Sequence, residues 1–296
     1  AGALDQLGPN RASIAAALPD ALQTAAQQGQ SAASGHHDMF GAVETITQNT
    51  QVSIPQIPEW PLEQKLRGEK NTLGVYLTGH PIDEYWDGEL KQLVQGSIAD
   101  VVGEASPSEG EERGYARKGR NVVLAGYVLD LRVKPGKRTT FSLDDKSGRV
   151  ECGVFDEKYQ QVKNILINDQ LVIVAGSLAY DDYVDGWRIS VKEIYTLEDL
   201  RPKQAQALLL EWGLIAPRVE QLVTTLTRHQ GGGCAVWLRY QNQQAKADLQ
   251  LPAERHVKWS GGLFTELRSL FGEQGVKIKY KRLEVVDSYS AKGRNR

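Results

Sequence analysis

Methionine is nearly absent from this sequence: Met39 is the only one, and it stands beside Phe40 in the polar run "SGHHDMFGAV". The neighbours, rich in Ala, Gln, Ser and Thr, have no sustained period and cannot supply a core for that apolar pair. The chain opens on "AGALDQLGPN", without an initiator methionine and already in a helical pattern, which points to a fragment. Cysteine is scarce too: Cys152 and Cys234 lie far apart without C-x-x-C spacing, which argues against a disulfide framework or a zinc site and for a reducing cytoplasm. No apolar run approaches the roughly 18 residues of a bilayer span, and no signal-peptide core is present. Charge of one sign is also lacking, since the net value is −2, so any nucleic-acid surface must be a local patch.

Catalytic signatures are missing as well. His36, His37, His80, His229 and His256 show no H-x-x-x-H or H-E-x-x-H spacing, and neither a phosphate-binding G-x-x-x-x-G-K-[ST] loop nor a G-x-S-x-G elbow occurs. His80, between Gly79 and Pro81, reads as a structural residue at a helix end. The pairs Asp144–Asp145 and Asp181–Asp182 invite a metal-ion reading. They sit in "DDKSG" and "DDYVDG", however, where turn geometry explains them. No catalytic or metal-ligating residue is therefore assigned.

What is present divides the 296 residues into five stretches. Residues 1–26 read as short helices, with Ile14, Leu18 and Leu22 four apart, too little apolar face for a domain. Residues 27–58 read as a flexible linker. Residues 59–116 read as a helical connector that starts at Pro61, buries Leu62, Leu66, Leu73 and Leu77 on one face, and ends at Gly79. From 117 to 197 the period becomes two: Leu129, Leu131 and Val133 alternate with Asp130, Arg132 and Lys134, and two more such strands follow. A helix, "EKYQQVKNIL", precedes a further strand pair, and three strands, a helix and two strands is the order of an OB-fold barrel. Residues 198–230 read as helical, "GGG" at 231–233 as a separator, and the remainder of 198–296 as a compact α+β module whose last helix is capped by Ser260. The expected fold class is thus multidomain α+β: a helical remnant and linker, a five-stranded OB-fold β-barrel and a small C-terminal α+β domain.

A barrel of this order offers a groove to single-stranded nucleic acid. Arg132, Lys134, Lys137 and Arg138 cluster on its first hairpin, with Arg188 and Phe155 as further contacts. Tyr180, Tyr183 and Trp187 are aromatic neighbours, although Trp187 alternates with Ile189 and Val191 and so reads as core.

The run "LGVYLTGHP" at 73–81 resembles a signature of the alpha subunit of bacterial DNA polymerase III, the C-family replicative polymerase. Other stretches agree in order. "GALDQLGPNR" is similar to the end of that family's helix-hairpin-helix region, "TTFSLDDKSGRVECGVFDEKYQ" to its OB domain and "WSGGLFTELRSLFG" to its C-terminal domain. The resemblance implies a short peptide that inserts into the sliding clamp (beta subunit), here His36, Asp38, Met39 and Phe40, with His36 standing where the family usually has Gln. Burying Met and Phe would contribute about 1.5–3 kcal/mol each, and ordering the segment would cost about 2–5 kcal/mol, so the implied contact is weak and reversible. The resemblance further implies that Leu263, Glu266, Leu267, Leu270 and Phe271 contact the tau subunit of the clamp loader. It also implies primed and single-stranded DNA as partners, and DNA-directed DNA polymerase activity with Mg2+ in the intact protein, whose palm aspartates would lie outside this chain. Two other readings remain: a stand-alone OB-fold single-strand binding protein, and a scaffold whose barrel binds no nucleic acid.

Overall fold

The computed structural model describes residues 2–33, 53–105, 119–134, 136–182, 185–213, 218–241 and 245–285. His36, Asp38, Met39 and Phe40, like Tyr183, lie outside the described residues. The chain forms two compact units, Ala1–Pro81 and Ile82–Arg296, and the division falls inside the stretch read as one connector.

In the first unit, α1 (Arg11–Ala33) is one continuous helix with Pro19 inside it, longer than the short helices expected. Its Ala-rich sequence has the helix propensity to carry a residue that removes one backbone bond. The start of α1 is capped by two side chains. Asn10 Oδ1 accepts from Ser13 N at 2.8 Å, and the Glu59 carboxylate accepts from the backbone of Arg11 and Ala12 at 3.2 Å each. A carboxylate there satisfies otherwise orphaned amides and the positive end of the helix dipole. Ser13 Oγ accepts from Ile57 N at 3.2 Å, so residues at the end of the expected linker are tied to α1.

Helix α2 (Leu62–Leu73) starts after Pro61 but ends at Gly74, which adopts φ 77° and donates to Lys70 O; Gly79 is not its cap. Of the four leucines assigned to a buried face, only Leu66 is buried. Glu69 is the residue the leucine pattern concealed. Fully buried, it accepts from Arg11 Nη1 and Leu77 N at 2.7 Å and from Thr78 N and Oγ1 at 3.0 Å. Burial pushes its pKa up, but the Arg11 guanidinium and the Thr78 and Leu77 amides outweigh that and hold it at about 2. His80 is buried edge-on to Tyr76, with 5.2 Å between ring centroids, consistent with its structural reading.

The second unit begins with helical turns at Asp83–Tyr85, Trp86–Leu90 and Lys91–Leu93, followed by α3 (Ile98–Gly103), whose Ser97 and Asp100 form a capping box. The barrel follows. Its elements are β1 (Arg120–Arg132), β2 (Thr139–Asp144), β3 (Arg149–Val154), α4 (Asp156–Val162), β4 (Leu171–Asp181) and β5 (Gly186–Tyr195). The strands close in the order β1-β2-β3-β5-β4, the five-stranded OB-fold barrel. Val122, Leu124, Phe141, Leu143, Cys152, Val174 and Ile189 fill it. Val123, Ala125, Ile173 and Ala175, on the opposite face of β1 and β4, are buried as well, in a second core shared with the C-terminal module.

That module contains α5 (Leu197–Gln204), β6 (Ala205–Trp212), α6 (Val219–Arg228), β7 (Gln230–Gln241), β8 (Lys246–Gln250), α7 (Gly261–Phe271) and β9 (Val276–Tyr280). Residues 205–212, read as helix, are a strand in the centre of the sheet β8-β7-β6-β9, paired parallel to β7 and antiparallel to β9. Their Ala and Leu content favours helix locally, but two-sided pairing overrides it. The "GGG" run is no separator either: it belongs to β7, which runs against residues 256–258. A Cβ on Gly232 would stand 2.1 Å from Val257 O and 2.3 Å from Lys258 Cα.

The outer edge of β9 is covered by the first helical turns. Gln92 donates to Ile278 O and accepts from Tyr280 N, both at 3.0 Å, and Leu283 N donates to Leu93 O at 3.0 Å. Arg201 makes two bonds of 2.7 Å to Glu89, which also accepts from the Tyr280 hydroxyl at 2.7 Å. Burial, then the Glu89 charge, pushes the Tyr280 pKa up, so it remains a donor.

Two expectations follow. Gly232→Ala should lower unfolding stability by about 1–3 kcal/mol or more, through overpacking against fixed backbone, in urea melts. Gly233→Ala, with nothing within 4 Å of its Cβ, should be close to neutral. For Glu69, the folded pKa is depressed, so its stabilisation is fully present above the ordinary carboxylate value and lost as pH falls towards 2. Acid titration of stability should show a steeper fall between about pH 5 and 2 in wild type than in Glu69→Gln, which keeps only the contributions of other depressed carboxylates such as Asp5 and Glu59.

Candidate nucleic-acid interface

The outer face of β2, β3 and β5 is the exposed side of the barrel, and a bulge decides which residues reach it. Leu129 pairs with Ser142 while Arg132 pairs with Thr140, so β1 carries one extra residue there, and Asp130 takes φ 51°. Strict alternation would have set Leu131 opposite Thr140. The bulge sets Arg132 there, and Leu131 packs against the barrel core. From Arg132 the registers define a row across the face: Thr140 pairs with Gly153, Gly153 with Ser190, and Ser190 with Ser177.

Arg138 lies over the middle of this row. Its Nη2 donates to Gly153 O at 3.2 Å and its guanidinium carbon is 5.1 Å from the centroid of the Phe155 ring. Phe155 is 61% exposed, which leaves ring surface available to a base. Packing against the sheet, then the neighbouring Arg188 charge, lowers the Arg138 pKa from its ordinary value. Arg188 is held differently: Nη1 bonds Asp181 at 2.7 Å and Nη2 bonds Glu151. Those two hydrogen bonds raise its pKa. Lys134 and Lys137 are exposed on the connecting turn, where Lys137 N donates to Lys134 O at 3.0 Å. The structure therefore brings Arg132, Arg138, Phe155 and Arg188 onto one face and suspends both lysines at its edge. Trp187 packs edge-on to Tyr180, with 5.4 Å between centroids, at the end of the barrel core, in keeping with its reading as core.

Sequence reasoning missed Gly153, Glu151 and Asp181. A glycine inside an alternating strand was the available signal for the first. The turn reading holds for Asp145, whose carboxylate accepts from Ser147 N, Ser147 Oγ, Gly148 N and, at 2.6 Å, from Ile98 N at the start of α3. Asp181 instead serves Arg188. Burial pushes the Cys152 thiol well up and the Cys234 thiol up to about 11, leaving both unreactive.

The second candidate set lies on α7. Leu263 and Leu267 are fully buried beneath the C-terminal sheet with Leu222, Leu226 and Val236, and Phe271 meets Trp212 edge-on at 5.8 Å. Their spacing along one helical stripe is what sends them inward. Glu266 is paired with Arg228 at 2.6 Å and Leu270 is half-buried. The five do not compose an exposed face.

Residues 122–197 match the family model of the OB-fold nucleic acid binding domain, and residues 221–272 match that of the DNA polymerase III subunit alpha, C-terminal domain. The barrel is thus an OB-fold domain. Over 95% of its length the chain is 35% identical to the DNA polymerase III subunit alpha of Vibrio cholerae and 34% identical to that of Pseudomonas aeruginosa. It covers 24% and 25% of those proteins, about a quarter of their length. The Escherichia coli alpha subunit is 32% identical over 94% of the chain and 24% of its own length. The chain belongs to the DNA polymerase III alpha-subunit family, as a C-terminal region of it. Part of it also overlays an asparaginyl-tRNA synthetase from Pyrococcus horikoshii, 26% identical over 27% of this chain and 20% of that one, at a TM-score of 0.24, too low to bear on function. Among the described residues no helix is long and apolar enough to cross a membrane.

Proposed function

We propose that this chain is the tethering and guiding part of a replicative DNA polymerase alpha subunit. In this reading its barrel holds the single-stranded template, the peptide around Met39 and Phe40 attaches to the sliding clamp, and the C-terminal module docks the tau subunit of the clamp loader. The observation that carries it is the outer barrel face, where a bulge and a side-chain-free strand position gather Arg132, Arg138 and Phe155 beside two exposed lysines. A single strand crossing β2 and β3 meets phosphate-binding cations and a ring able to stack a base. Nucleotide addition with magnesium ions belongs in this reading to the intact polymerase, and no step of it is assigned to these residues. Docking of tau would use surface of the C-terminal module other than Leu263 and Leu267, which hold its core.

Single-strand binding is tested by titrating a labelled oligonucleotide across a range of salt. Wild type should bind with an affinity that falls as salt rises, and Lys137→Glu/Arg138→Glu should bind more than about tenfold more weakly with a shallower slope. Equal binding by both would leave a scaffold whose barrel touches no nucleic acid. Clamp attachment is tested by titrating the chain with the sliding clamp of its own organism: micromolar binding, lost in Met39→Ala/Phe40→Ala, is the expected result. Salt-dependent oligonucleotide binding without any clamp binding would favour a stand-alone single-strand binding protein.

A further inference from the structure

We propose that Gly153 is a positioning residue of the barrel face: having no side chain, it lets the Arg138 guanidinium lie on the β3 backbone beside Phe155 as the receptor for one phosphodiester of a single strand. The inference rests on the single-strand reading above and names the part of the face that makes the fixed contact.

Space is the first reason. A Cβ at Gly153 would stand 2.3 Å from Arg138 Nε, 2.8 Å from Cζ and 3.0 Å from Cδ, so any other residue lifts the arginine away from the sheet. The clash is with a flexible side chain, so the barrel itself tolerates the change. Glycine inside a strand weakens it, and here the cost coincides with the seat of a cation.

Charge is the second. Of the two arginines on this face, Arg188 is balanced by Glu151 and Asp181. Arg138 forms no ion pair among the described residues; its contacts are a neutral carbonyl and the Phe155 ring. Packing and the adjacent Arg188 both disfavour its charged form. An arriving phosphate oxygen would offset the Arg188 repulsion, because the planar guanidinium offers paired donors to it. Arg188, with Glu151 and Asp181, is a positioning group that keeps the neighbourhood rigid. Arg132, Lys134 and Lys137 are exposed, as Arg138 is, but are not seated on a glycine, and serve long-range attraction.

The test is a thermodynamic cycle in the whole chain, with a labelled thymidine oligonucleotide titrated at several salt concentrations. Gly153→Ala and Arg138→Gln should each weaken binding about tenfold and lower the salt dependence by about one released ion. The double variant should be no weaker than Arg138→Gln alone, because alanine acts only through the arginine. Wild-type affinity in Gly153→Ala, or losses that multiply in the double variant, would overturn the proposal. Should Gly153→Ala unfold at the assay temperature, Arg138→Lys replaces it, since it keeps the charge but loses the planar fork; undiminished binding by that variant overturns the proposal equally. Absence of binding by wild type removes the single-strand reading itself, and this inference with it.

Discussion

The second unit depends on β1 and β4 being buried on both faces. Val122, Leu124, Val172 and Val174 point into the barrel while Val123, Ala125, Ile173 and Ala175 point into the core shared with the C-terminal sheet. Fully burying Val123 and Ile173 contributes about 1.5–3 kcal/mol each. The sealing of that wall leaves β2, β3 and the outer side of β5 as the barrel's free surface. The direction in which the barrel presents its cations is thus set by apolar packing on its opposite side.

The seal is completed by polar groups that substitute for missing strand partners. The Gln92 amide supplies one donor and one acceptor to the open edge of β9, as a neighbouring strand would. Nearby, Glu89 gathers Arg201 and Tyr280. The pair is half-buried, so removing one partner leaves the other charge partly reached by water and costs less than in a fully buried pair. These bonds join the helical turns to the C-terminal module.

Much of this was readable in advance where period two was sustained. The hairpin of β2 and β3, the last barrel strand and the Ser260 cap all follow local pattern, and the cap is made, with Leu263 N donating to Ser260 Oγ at 3.1 Å. The failures share a cause, which is contact between residues distant in sequence. "AQALLLEW" has helical composition and is a strand because β7 and β9 flank it. "GGG" resembles a hinge and is strand backbone pressed against Lys258. The unbroken apolar run "VVLA" in β1 was the available sign of a strand covered on both sides. In the candidate site, residue types were legible and geometry was not: the bulge at Asp130 and the seat at Gly153 exist only once β1 and β3 pair with β2. On α7 the stripe of Leu263 and Leu267 serves the core.

The capping of α1 has a mechanical consequence. Ile57 and Glu59 stand 44 to 48 residues beyond the partners they bond at the helix's start, Asn10, Arg11 and Ser13. Both ends of each bond belong to the same unit, Ala1–Pro81. A pull on residues 57–59 is therefore borne by the first turn of α1, and it frays that helix from its N-terminal end by uncovering the amides of Arg11 and Ala12.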